Sequence, residues 1–338
     1  MKLKEFYYEL PKELIAQEPL SFRDHSRLLI LDRQNKKKEE GLFKDIIDIV
    51  TPLDCIVFNN TKVIPARVFG KKESGAKIEL LFVKGINNGL WEVLIKPAKR
   101  VRINTKILVG EDKLEIVNKS SKGTWIVKCD SQSIKKMIEL YGVMPTPPYI
   151  KKKLNDPSRY QTVFAKEEGS IAAPTAGLHF TPSLIEKISS KGTRSAYVTL
   201  HVGLGTFRPI NTEDIKDYVM DKEHYFISEE SAQIINETKN RGGRVFAVGT
   251  TVTRLLESVA LKDSSLVNYG EGETGLFIYP AYNFKIVDCL LTNFHLPCST
   301  NFILVCAFAG LEFVKEAYHY AIERKFRFYS FGDAMLII

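Results

Sequence analysis

Between residues 63 and 129 the apolar positions come in short bursts, at 63–69, 77–83, 91–95, 106–109, 113–117 and 124–129, rich in β-branched or aromatic side chains and separated by Gly, Asn, Asp and Ser. Branched side chains suit a pleated backbone, and turn residues at this spacing punctuate strands. The pattern predicts six antiparallel strands, and closing them into a small barrel removes their exposed edges. Pro145, Pro147 and Pro148 end the pattern, since proline cannot supply the N–H that a helix interior or a central strand requires.

Further along, the period changes. Thr181 followed by Pro182 is an N-cap with proline at the first helical position, and the helix should run to about Lys191, where Gly192 stops it. Residues 195–202 alternate like a strand. Ser228, with Glu229 and Glu230 behind it, opens a helix ending near Gly242. Residues 244–248 read as a buried strand, and Gly249-Thr250-Thr251 turns directly into a helix over 252–261. The long apolar stretch 299–324 predicts one buried helix, or two broken at Gly310. Helices alternating with buried strands predict an α/β main domain with a mixed, largely parallel sheet. The expected division is a discontinuous α/β domain over 1–61 and 151–338, with an antiparallel β-barrel inserted at 62–150.

Charge sharpens this division. Residues 62–153 hold 20 Lys and Arg against 8 Asp and Glu, a balance of +12, while the rest of the chain sums to −4. Positive charge gathered in one segment suits a polyanion, because phosphate contacts release counterions; a solvated basic face is the plainer alternative. The five cysteines, Cys55, Cys129, Cys289, Cys298 and Cys306, include no C-x-x-C pair, and the six histidines lack ligand spacing, so neither a disulfide framework nor a metal site is expected. Charges scattered through residues 1–19 leave no signal-peptide core, and the longest apolar run, 302–311, is ten residues, far short of the roughly 20 of a membrane helix. A cytoplasmic, monomeric protein without membrane contact is the expectation.

Four stretches could carry chemistry. GSIAAPTAGLHFT (169–181) is a small-residue loop leading to a capped helix, open to close approach by a ligand, with His179 near its end; a tight turn with a satisfied core histidine is the competing reading. In YVTLHVGLGTFR (197–208), His201 ends a strand and Gly203 and Gly205 flank a turn that could equally be a plain hairpin. Gly249, Thr250 and Thr251 lead to Arg254 and Glu257, which could hold a carboxylate or ribose hydroxyls, or form only a cap and a surface ion pair. LTNFHLPCST (291–300) places Asn293 and His295 between a strand and a helix, where α/β sheets usually bind ligands. No G-x-G-x-x-G opens a helix, which counts against a dinucleotide domain or an ordinary Rossmann methyltransferase.

Together with FNNTKVIPARVFG (58–70), LIKPAKR (94–100), PPYIK (147–151), RYQTVFAKEEGSIAAPTAGLHFT (159–181), GGRVFAVGTT (242–251), LLTNFHLP (290–297) and FGDAML (331–336), these stretches resemble, in order and over nearly the whole chain, the S-adenosylmethionine:tRNA ribosyltransferase-isomerase family of queuosine biosynthesis. The resemblance implies an α/β domain carrying an inserted β-barrel. It also implies transfer and isomerisation of the ribosyl group of S-adenosylmethionine onto 7-aminomethyl-7-deazaguanine at the wobble position of tRNA. The products would be epoxyqueuosine, adenine and methionine. S-adenosylmethionine is then a co-substrate, and no cofactor is expected.

That chemistry needs a base for the carbon beside the sulfonium and an acid for departing adenine, roles that suit histidine. The resemblance assigns His179 and His201 to acid/base work and Glu223 to the sulfonium or to orientation. Thr175, Gly177, Phe180, Gly203, Gly205, Gly249, Thr250, Thr251, Asn293 and His295 are expected to bind the donor. Asn59, Asn60, Arg67, Lys99, Arg100, Lys152, Arg159, Tyr160, Gln161 and Arg208 are expected to hold tRNA or the flipped-out base. Two positions depart from the family pattern: Asp221 stands where histidine is usual after Met220, and Cys298 where lysine is usual. Tyr218 and His224 lie close enough in sequence to compensate. The alternatives are an S-adenosylmethionine-dependent RNA methyltransferase and a non-catalytic RNA-binding protein.

Overall fold

The structure is a computed structural model. It describes residues 1–87, 89–120 and 123–338, the side chains of residues 131, 206 and 207 excepted. The chain divides into two compact units, one of Met1–Lys62, Pro148–Glu167 and Ala173–Ile338, the other of Val63–Pro147 and Glu168–Ala172.

In the second unit the predicted strands close into an antiparallel barrel. Among the described residues its order is Trp125–Lys128, Leu90–Lys96, Lys77–Asn87, Arg67–Lys72, Lys106–Val109 and Asp112–Lys119, the last returning to the first. Alternation decides what faces inward: Ile78, Leu80 and Phe82 are buried, whereas Lys77, Glu79 and Leu81 between them are not. Gly70 is needed where two strands meet, because a Cβ there would stand 2.8 Å from the Leu108 carbonyl oxygen. The helix Ser131–Tyr141 was not anticipated. Its polar start hides an apolar stripe at Ile134, Met137 and Ile138, all buried, and Asp130 caps it by accepting the Ser133 N–H at 3.2 Å.

The first unit holds a mixed sheet, nine-stranded among the described residues. Its order is Gly270–Thr274, Glu223–Ile227, Arg194–Leu200, Cys55–Asn59, Val245–Val248, Cys289–Asn293, Ala334–Ile337, Arg27–Asp32 and Lys37–Leu42. Four neighbours, from Arg194–Leu200 to Cys289–Asn293, run parallel. The helices begin close to their sequence signals: Thr181 accepts the Leu184 N–H at 3.1 Å and Ser228 the Ser231 N–H at 3.1 Å. The stretch 299–324 is two helices, Thr300–Ala309 and Leu311–Glu323, separated by Gly310 at φ +92°. Leu28, Phe58, Phe180, Leu184, Phe246, Leu291 and Leu336 share one core cluster.

This topology gathers the candidate loops. Because the four central strands are parallel, the residues after Asn59, Leu200, Val248 and Asn293 all emerge at one edge of the sheet. Among the described residues, no helix is long and apolar enough to cross a membrane.

Candidate active site

At that edge lies a cavity of about 300 Å³. Thr175, Val202, Arg208, Thr250, Thr251, Asn293 and His295 contribute to its wall, so each of the four candidate loops reaches it. The Val245–Val248 strand is wholly buried, and Gly249 at φ +95° turns the chain at once into the helix Thr250–Ser258. The Thr250 hydroxyl donates to Asn301 Oδ1 at 3.0 Å. Asn59 locks the strand ends together: its Nδ2 donates to the Leu200 carbonyl at 3.0 Å, and its Oδ1 accepts the Thr61 and Leu200 N–H groups, each at 3.1 Å. It is 1% exposed, so it supports the sheet and has no surface to offer RNA.

The histidines occupy different environments. His179 is buried, stacked on Phe43 at 4.9 Å, with Nδ1 2.8 Å from Ser26 Oγ and Nε2 3.0 Å from Asn293 Nδ2. Burial, reinforced by the charge of Arg23, pushes its pKa down to about 3, so the ring is neutral. Asn293, not His179, reaches the cavity wall. His201 is half-buried, with Nδ1 2.8 Å from Thr61 Oγ1 and its ring stacked on His224 at 6.0 Å. Burial and then His224 lower its pKa, while Glu167 opposes them. His295 lines the cavity with Nε2 2.8 Å from Thr292 Oγ1, and burial pushes its pKa down to about 3.

Glu223 does not line the cavity; it forms a buried ion pair with Arg254 and accepts the Gly203 N–H at 2.8 Å. Arg254 and Glu257 form neither a ligand-facing pair nor a surface ion pair. Glu257 is 5% exposed and accepts the N–H groups of Lys285, Ile286 and Val287 at 2.9 to 3.0 Å. The two residues therefore hold two different loops from one helix.

Gly177, Phe180, Gly203, Gly205 and Gly249 stand behind the wall rather than in it. A Cβ on Gly177 would lie 2.7 Å from the Phe164 ring, and one on Gly205 2.8 Å from Asp221 Cβ. Phe180 belongs to the core cluster. The wall also contains Cys298, which departs from the family pattern, and four residues to which the sequence assigns no role: Tyr149, Asn301, Tyr329 and Ser330. Tyr149 bonds Ser330 Oγ at 2.7 Å and packs against Tyr329 at 4.8 Å. Tyr329 and Cys298 both have positive φ, +70° and +56°, an unfavourable conformation for such side chains that often marks a binding wall. Among the described residues, no group of three or more His, Cys, Asp or Glu side chains is arranged to hold a metal ion.

A sequence model of the family described as Queuosine biosynthesis protein matches residues 3–337. The chain belongs to that family. A relative from Thermoanaerobacter sp., named S-adenosylmethionine:tRNA ribosyltransferase-isomerase, is 52% identical over 342 residues, covering 100% of both chains. A relative of the same name from Staphylococcus aureus is 49% identical, again over 100% of both. The crystal structure of S-adenosylmethionine tRNA ribosyltransferase from Thermotoga maritima shares 39% identity, covers 99% of this chain and 100% of its own, and superposes with a TM-score of 0.58.

The two departures from the family pattern have defined places. Asp221 pairs with Arg208 at 3.0 Å, so the cavity-wall arginine has a carboxylate partner there. Cys298 lines the cavity with its thiol 3.6 Å from the Leu3 carbonyl. Cys55, Cys289 and Cys306 are buried, and all five cysteines are free thiols. Of the residues expected to meet RNA, Lys99 and Arg100 are exposed on a short barrel helix, Ala98–Arg100. Lys152 is exposed and pairs with Glu18. Arg67 is held within the barrel by Glu79 at 3.2 Å and the Thr146 carbonyl at 2.9 Å. Arg159 donates to the carbonyls of Leu20 and Ser21, Tyr160 is buried, Gln161 is half-buried, and Asn60 accepts the Thr199 hydroxyl at 2.7 Å. These last residues brace loops more than they display charge.

Proposed function

We propose that this chain transfers and isomerises the ribosyl group of S-adenosylmethionine onto 7-aminomethyl-7-deazaguanine at the wobble position of tRNA, forming epoxyqueuosine and releasing adenine and methionine. The observation that carries this reading is the family match over residues 3–337, with relatives of that name aligned along their whole length. The cavity at the sheet edge is the place for the donor: about 300 Å³ is at the lower end of small-molecule sites, and its wall mixes aromatic faces with a few polar groups. Tyr149 and Tyr329 supply the apolar surface; Thr175, Thr250 and Thr251 supply hydrogen bonds.

In this reading His201 is the base candidate, since its lowered pKa leaves the ring neutral near pH 7, and His295, held neutral in the cavity wall, meets the donor as a hydrogen-bonding group. Lys99 and Arg100 on the basic barrel would meet tRNA phosphates. Cytoplasmic location and a monomeric state belong to the same proposal. The test is to incubate the protein with S-adenosylmethionine and precursor-modified tRNA and identify the small products. Adenine and methionine are expected; S-adenosylhomocysteine would make the chain a methyltransferase, and binding without turnover a carrier of RNA.

A further inference from the structure

We infer that His179 is a positioning residue that fixes the polarity of a hydrogen-bond relay, so that the Thr175 hydroxyl meets the cavity's ligand as an acceptor and selects a ligand edge bearing an N–H or O–H. This rests on the reading of the cavity as the donor site.

The argument starts from what an amide can do. Asn293 has one end that only donates and one that only accepts. Its Oδ1 accepts the Thr175 hydroxyl at 3.0 Å, which commits Nδ2 to His179 Nε2, also at 3.0 Å. Nε2 must then be the unprotonated ring nitrogen, and the ring proton sits on Nδ1, where it donates to Ser26 Oγ at 2.8 Å. Donation runs one way, Thr175 to Asn293 to His179 to Ser26. Thr175 has spent its only proton, so lone pairs are what it has left for a ligand.

The surroundings hold this arrangement in place. Thr175 and His179 lie at opposite ends of one short helix, Thr175–His179, and grip the same amide at the end of the Cys289–Asn293 strand. Ser26 and Asn293 are each 2% exposed, which leaves water little access to reverse the relay. Phe43, stacked on the ring, fixes its plane. An imidazolium would set Nε2–H against the Asn293 amide N–H groups, and burial keeps the ring neutral. S-adenosylmethionine carries suitable donors in its exocyclic amine, its ammonium and its ribose hydroxyls.

Two measurements test this. The first needs no ligand: nitrogen-resolved NMR of the imidazole, assigned by comparison with His179→Gln, should show Nδ1 protonated and Nε2 bare across about pH 5 to 8. A protonated Nε2 overturns the proposal. The second is steady-state kinetics with S-adenosylmethionine. Ser26 does not line the cavity, yet Ser26→Ala, which removes the ring proton's side-chain acceptor and leaves it only the Arg23 carbonyl, should raise the donor KM about threefold with little change in kcat. Thr175→Val should do the same, and the two effects should not add. His179→Gln, which can still accept from Asn293, should restore most of the affinity that His179→Leu loses. Unchanged KM in Ser26→Ala and Thr175→Val, with turnover intact, also overturns it. If the wild type releases no adenine at all, the donor reading fails instead, and the NMR result still decides the relay.

Discussion

The carboxylate of Glu223 is closed in a buried ion pair with Arg254 while it also accepts the Gly203 N–H at 2.8 Å. One side chain thus ties the helix Thr250–Ser258 to the turn after His201. Removing it leaves a guanidinium buried without its counter-charge, so Glu223→Ala should destabilise the protein by about 3 to 5 kcal/mol. Glu223→Gln, which keeps an acceptor for Gly203, should cost less. Urea unfolding of both variants checks the order; equal stability of Glu223→Ala and wild type would show that the pair supports nothing.

Acid should loosen the edge of the sheet at which Asp54 sits. Burial raises the pKa of Asp54, but the Arg244 side chain, the Arg244 and Thr51 N–H groups and the Arg244 charge outweigh it, and the pKa ends below its ordinary value of 3.8. A folded-state pKa below the unfolded one means stability that is complete above the unfolded value and lost as pH falls through the folded one. Unfolding free energy should therefore decline below about pH 4, and Asp54→Asn should be less stable at neutral pH with a flatter acid limb. Parallel acid limbs in the two proteins would remove Asp54 from the account.

His201 gives a pH prediction for turnover. With its pKa held below 6.5 by burial and by His224, it stays an unprotonated base down to mildly acid pH. The acid limb of kcat/KM should fall below about pH 6.5. His224→Gln, by removing the neighbouring imidazole whose repulsion lowers the His201 pKa, should move that limb to higher pH, and His201→Gln should abolish it along with most activity. Full single-turnover activity in His201→Gln, with tRNA binding intact, excludes His201 from proton transfer.

Affinity for tRNA should fall steeply with salt. Reversing Lys99 and Arg100 to glutamate should weaken binding and reduce the slope of log K against log salt by about 0.7 to 0.9 per lost phosphate contact. Filter binding over a salt series is sufficient. Unaltered slopes would move the RNA surface off this part of the barrel.

The barrel and the order of the α/β elements were legible because β-branched bursts, caps and glycines act locally; the strand Lys106–Val109 falls where the pattern put it. The loops forming the cavity were legible for the same reason, since parallel strands must end at one edge. What was hidden depended on partners distant in sequence. Glu223 looks like a site residue until Arg254 is set against it, and His179 looks like a base until Ser26 and Asn293 take both its nitrogens. Tyr329 and Ser330 lie in no motif, and Tyr149, within PPYIK, carried no chemistry of its own, yet a bond between 149 and 330 builds part of the wall. The helix Ser131–Tyr141 was missed because its apolar stripe is thin beside its lysines.

The strand Ala334–Ile337 lies inside the sheet, pairing with Arg27–Asp32 on one side and Cys289–Asn293 on the other. Leu28 therefore waits for Ala334. During synthesis the early strand emerges long before its neighbour exists, so its edge stays open to wrong partners for almost the whole translation time. A truncation that removed only residues 334–337 would not trim an edge but split the sheet through its interior, exposing two apolar strands at once.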